Sequence, residues 1–173
     1  MPNTYWTHTL RTLYDKAVAQ YSAGKKGADT YFDEEETKWL ASIGLRPINL
    51  YDCAEDSSNH GEPDWETFLL TVAARRDYFL HEMKRNPASY EVTGGELPPK
   101  TDELEGIVWL PRIIKKAHCF LEGGLCHDIM YGCGGDRRFF AENKVHPADF
   151  LRVIWASRGD DAKVVDFVKA HRG

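Results

Sequence analysis

The chain has 173 residues and a formal charge of −5, with 42% hydrophobic and 28% charged residues. That length suits one domain, or two small halves sharing a core, and the acidic balance argues against a dedicated nucleic-acid binder, which presents a net basic face to phosphates. No apolar run reaches membrane-span length, and Met1 to Tyr14 lack a secretory leader's charged-then-apolar order, so a cytoplasmic protein with reduced thiols and no membrane contact is expected.

The apolar spacing is helical nearly throughout, which predicts an all-α fold, a compact helical bundle of antiparallel helices joined by short turns. Leu10, Leu13, Tyr14, Ala17 and Tyr21 recur at steps of three and four, and Gly24 supplies a stop. Asp33 to Glu36 reads as an aspartate cap with an acidic residue three positions on, before a helix that carries Trp39, Leu40 and Ile43 and ends at Gly44. Pro47 opens another helix, since proline fits the first turn, where its missing N–H is not needed. Pro63 precedes the longest helix, Asp64 to about Met83. Residues 86 to 101 hold three prolines and a glycine pair and form a connector, with a short extended piece at Tyr90 to Val92. In the second half Leu110, Ile113, Ile114, Ala117 and Leu121 make one apolar face, with Arg112, Lys115 and Lys116 on the solvated side. A loop covers Glu122 to Gly135, and short helices follow around Phe139, from Pro147 to Trp155 and from Asp161 to Ala170.

Sliding the chain against itself by one hundred residues aligns Leu10, Lys16, Ala17, Gly24, Tyr31, Ala41 and Pro47 with Leu110, Lys116, Ala117, Gly124, Tyr131, Ala141 and Pro147. An internal duplication is therefore expected, with a degenerate first half (1–85), a connector (86–103) and a second half (104–173) packed with the first as one domain. The same offset sets Cys133 over the capping Asp33 and Asp136 over Glu36. Cys133, followed by Gly134 and Gly135, thus stands at a helix N-terminus, where the dipole and the first N–H groups favour an anion, with Arg137 and Arg138 adding positive charge. Two readings stand: a reactive or ligand-binding cysteine, or an inert buried one with Asp136 as the true cap.

His118, Cys119, Cys126, His127 and Cys133 crowd together, yet no Cys-x-x-Cys or His-x-x-x-His pair supplies two ligands from one turn, so no metal is assigned. Arg76 lies within the apolar stripe of Trp65, Phe68, Val72, Phe79 and Leu80 and needs either an internal carboxylate or an anionic ligand. Phosphate-loop, dinucleotide, metalloprotease and Ser-His-Asp patterns are absent from the sequence, and no cofactor is assigned.

The runs Leu-Pro-Arg-Ile-Ile-Lys-Lys-Ala (110–117), Tyr-Gly-Cys-Gly-Gly-Asp-Arg-Arg-Phe-Phe (131–140) and the closing Val-Val-Asp-Phe-Val helix carry a likeness. From about Leu104 to Ala170 the chain resembles a bacterial family known as a domain of unknown function (DUF5069). Its small members carry an arginine-lysine helix, then a cysteine and an aspartate before a helix. The resemblance implies that Arg112, Lys116, Cys133 and Asp136 are the positions to watch, and it implies no activity. The first half departs from the pattern, because it lacks the cysteine.

These readings converge on a small anionic molecule bound or transformed at a cleft, whether or not the protein is an enzyme. Cys133 and Asp136 are the expected catalytic pair, and Arg76, Arg112, Lys116 and Arg137 the ligand-binding cations. The alternatives are a non-catalytic module whose connector docks a protein partner, and a redox or metal sensor using the second-half cysteines.

Overall fold

Local chemistry places most helix boundaries. The computed structural model describes residues 5–172, so Met1 to Thr4 of the stretch read for a leader lie outside the described residues. Eight α-helices occur among these residues: α1 (Trp6–Ser22), α2 (Glu34–Ser42), α3 (Pro47–His60), α4 (Trp65–His81), α5 (Leu110–Glu122), α6 (Gly134–Asn143), α7 (Pro147–Ser157) and α8 (Asp161–Arg172). One two-residue hairpin, β1 (Glu103–Leu104) with β2 (Ile107–Val108), precedes α5, pairing Glu103 with Val108 and Leu104 with Ile107. The fold is all-α, as expected. None of these helices is long and apolar enough to cross a membrane.

Asp33 caps α2 through the N–H of Glu36, whose side chain accepts the Asp33 N–H in return, a full capping box. Pro47 and Pro147 open α3 and α7. The expected extended piece shrinks to one parallel bridge between Val92 and Leu125. The connector is largely exposed but anchored at two points: Val92 and Leu97 are buried in the core beside α5.

The chain divides into two compact units, Met1–Leu69 and Leu70–Gly173, with the division inside α4. In the first, α1 packs on α3 around Leu10, Ala17, Leu40, Leu50 and Ala54, each fully buried. In the second, α5 packs on α7, and α8 packs on α6 and α7, around Leu110, Ile113, Phe139, Phe150, Leu151 and Val164. Within each unit the order is the same. A helix ends at residue 22 or 122, a second starts at 34 or 134, and a third starts at 47 or 147.

On α3 of the first unit, Asp52 is a carboxyl group with a shifted titration. Burial on α3, reinforced by the neighbouring charges of Glu55 and Asp56, raises Asp52 to about 7 against the opposing pull of Arg46. In the unfolded chain the group titrates near the ordinary aspartate value of about 3.9. Between those limits the folded state binds the extra proton, so stability falls as pH rises from about 4 to 7, and the loss is complete above 7. Asp52→Asn is expected to leave stability at pH 4 nearly unchanged. At pH 8 it is expected to raise stability by on the order of 1–2 kcal/mol, a figure discounted for the group's partial contact with water. Urea melts of both proteins at the two pH values read the difference directly.

Candidate functional site

The second unit gathers its chemistry where α5 meets the start of α6. Ile113, Lys116, Ala117 and Phe120 follow one another at steps of three, one and three, so they share the buried face of α5. Lys116 is therefore 2% exposed, not solvated as its residue type suggested. A buried ammonium requires a charge partner, and Asp136, 0% exposed in the first turn of α6, supplies it. Lys116 Nζ donates to Asp136 Oδ2. The Gly132 N–H donates to the same oxygen at 3.0 Å, and Trp109 Nε1–H donates to Oδ1 at 3.0 Å. Three donors thus converge on one carboxylate, which is what makes a buried charge tolerable.

Cys133 is the N-cap of α6, as the one-hundred-residue offset predicts, and Asp136 is not the cap. Its sulfur accepts none of the first-turn N–H groups, so it caps nothing. Instead Sγ accepts from Lys116 Nζ at 3.4 Å, and the residue stays partly exposed. The other second-unit cysteines, Cys119 and Cys126, are 1% and 8% exposed, and burial pushes the Cys119 thiol up. The described residues contain no group of three or more His, Cys, Asp and Glu side chains positioned to hold a metal ion.

The turn before Cys133 is held from several sides. Gly132 adopts φ +91, a conformation that side chains resist. Arg137 Nη1 donates to its carbonyl at 2.9 Å, which puts Arg137 next to the cysteine through the backbone. Tyr131, buried with its O–H donated to the Pro147 carbonyl at 2.9 Å, anchors the turn, and burial drives its titration far upward. Trp109 starts α5 with φ +74, rare for a bulky residue and costing about 1–2 kcal/mol. Its indole lies so close over the α6 start that a Cβ on Gly135 would sit 2.6 Å from ring carbon Cζ2.

The structure thus unites Cys133, Asp136 and Lys116, with Arg137 joined through Gly132. Arg112 donates to the Pro98 carbonyl at 2.7 Å and stacks over Trp109 at 5.7 Å, so it reaches the cluster through that indole. Arg76, 9% exposed, pairs with the adjacent Asp77 at 3.2 Å, but that carboxylate is 51% exposed, so the pair lies at the surface and is not the internal one expected from the apolar stripe. Trp109 and Gly132 escaped the sequence reading, and Gly135 was read only as an uncovered helix start, not as the seat of an indole. The proline two residues after Trp109 marked a helix start, and the glycines flanked the cysteine, but nothing local ties the indole to an acid twenty-seven positions away. No curated protein and no solved structure matches this chain. Residues 98–173, which contain the whole Cys133–Lys116–Asp136 cluster, match the model of a family described as a domain of unknown function (DUF5069).

Proposed function

We propose that the start of α6 is a small-molecule site in which Cys133 serves as nucleophile or thiol ligand toward a small anionic molecule. In this reading Lys116 supplies the positive charge beside the sulfur, and Asp136 orients that ammonium. Arg137 shapes the turn and offers a second cation, Arg112 braces Trp109, and Arg76 takes no part. The observation that carries the proposal is a thiol occupying a helix cap it does not satisfy, in contact with a buried lysine.

A comparison within the chain supports the reading. We infer that the two units descend from one duplicated segment, because the ion pairs as well as the helices fall at the same offset. Lys16 Nζ pairs with Glu36 at 2.5 Å in the first unit, as Lys116 does with Asp136 in the second. Position 33 is a working aspartate cap, and position 133 is a cysteine that caps nothing. A residue that forgoes about 1 kcal/mol of available capping is a mark of function. Cys133→Ser is expected to restore a side-chain acceptor for the first turn and raise stability by about 0.5–1 kcal/mol. A loss of 2 kcal/mol or more in a urea melt would mean the sulfur is there for packing.

The functional test compares two alkylating agents of similar shape, anionic iodoacetate and neutral iodoacetamide, at Cys133. Relative to the same cysteine in the urea-unfolded chain, folding is expected to shift the rate ratio toward the anion by about tenfold. An unchanged or reversed ratio removes the anionic-ligand reading.

A further inference from the structure

A lysine stem ordinarily carries its ammonium out to water. Lys116 does the reverse: Asp136 anchors its Nζ inside the unit, with Cys133 Sγ 3.4 Å away on the more open side. Two nucleophilic atoms are therefore held in contact, one of them on a residue that stays partly exposed. We propose that this pair is a covalent modification site, at which a peroxide joins Cys133 and Lys116 through a single oxygen atom. The resulting S–O–N bridge ties α5 to the first turn of α6. The inference rests on the accessible thiol of the functional reading and adds a way to control it.

The chemistry balances with hydrogen peroxide as the oxidant. The first peroxide converts the thiol to a sulfenic acid: the S–H and O–O bonds break, an S–O bond forms, and one water leaves. The Lys116 ammonium passes one proton to the Asp136 carboxylate to which it already donates, which frees the nitrogen lone pair. As the O–N bond forms, a second peroxide accepts two electrons, and the sulfenic proton and one amine proton leave with its oxygens as two waters. Thiol, amine and two peroxides thus give the bridge and three waters, with four electrons removed from the protein. A direct S–N bond would draw Nζ across the whole gap and away from Asp136, whereas an interposed oxygen spans most of it. Bridging hides the sulfur from any ligand, and a dithiol reductant releases it.

The full chain, treated with a few equivalents of hydrogen peroxide and quenched, is weighed intact and then as peptides. A gain of about 14 Da is expected, one oxygen less two hydrogens, on a linked pair of peptides containing Lys116 and Cys133. Dithiothreitol should restore the original mass. Lys116→Arg keeps a cation beside Asp136 but lacks the amine, and is expected to show only sulfur-centred gains. Gains of about 32 or 48 Da on Cys133 of the unmodified sequence, with no linked species, would overturn the proposal. Iodoacetamide labelling of the untreated chain separates the two readings. A Cys133 that labels but never bridges removes this inference and leaves the thiol site standing. A Cys133 that neither labels nor oxidises removes both.

Discussion

Lys116→Met is expected to destabilise the second unit by roughly 3–5 kcal/mol, the largest effect of any single substitution argued from this structure. The reason is what stays behind. Asp136, with no exposure, would keep two of its three donors but lose its counter-ion. Removing both charges together, as Lys116→Met with Asp136→Leu, should recover much of the loss, because a buried ion pair is worth little more than well-packed hydrocarbon. The equivalent pair in the first unit sets the scale. Lys16 and Glu36 remain 35% and 25% exposed, so Lys16→Met is expected to cost less than about 1 kcal/mol. Hydrogen exchange read peptide by peptide checks both at once. Amides of α5 and α6 should exchange a hundredfold or more faster in Lys116→Met, while those of α1 and α2 change little in Lys16→Met. Equal, small effects in the two units would mean that the second pair is not buried.

Gly135→Ala is the second large effect, expected at about 1–3 kcal/mol from overpacking alone. The added methyl would meet Trp109 ring carbons at 2.6 and 2.7 Å, so the indole or the start of α6 has to move. Moving the indole also breaks its hydrogen bond to Asp136, so the ring is not free to swing aside. One residue earlier the outcome reverses. A Cβ on Gly134 meets only the end of the Arg137 side chain, at an ordinary 3.7 Å. Gly134→Ala should therefore be neutral or stabilise by up to about 1 kcal/mol, through the unfolded state. A double-mutant cycle of Gly135→Ala with Trp109→Phe measures the contact itself. Strong coupling is expected, and plain additivity would show that ring and helix do not touch.

Helix boundaries were legible because their causes are local. Asp33 with Glu36, Pro47, Pro147 and Gly44 each act on backbone groups within a turn, so residue type alone locates them. The N-terminal position of Cys133 was legible for the same reason, by alignment with Asp33. Lys116 was misread because lysine on a helix is normally solvated, and only a partner twenty residues away reverses that. The spacing from Ile113 and Phe120 did place it on the inner face, and the apolar stripe was drawn without it. Trp109 is less readable still, since a positive φ at a bulky residue is imposed by its surroundings. The β1–β2 hairpin turns at Glu105 and Gly106, both with positive φ. Glycine there is an ordinary turn signal, but glutamate is an unusual partner for it, and the run was passed over. Arg76 was narrowed to two readings, and its pairing with the adjacent Asp77 depended on rotamers that spacing does not fix.

The central claim is that Cys133 is an available thiol, distinguished from its buried neighbours by its place at the α6 start. Site-resolved iodoacetamide labelling of the folded full-length chain tests it most directly, with each cysteine followed by peptide mass. Cys133 is expected to label at least about tenfold faster than Cys119 and Cys126, with the difference vanishing in urea. If Cys133 were protected to the same degree as Cys119, the sulfur would be sealed from solutes and the account contradicted.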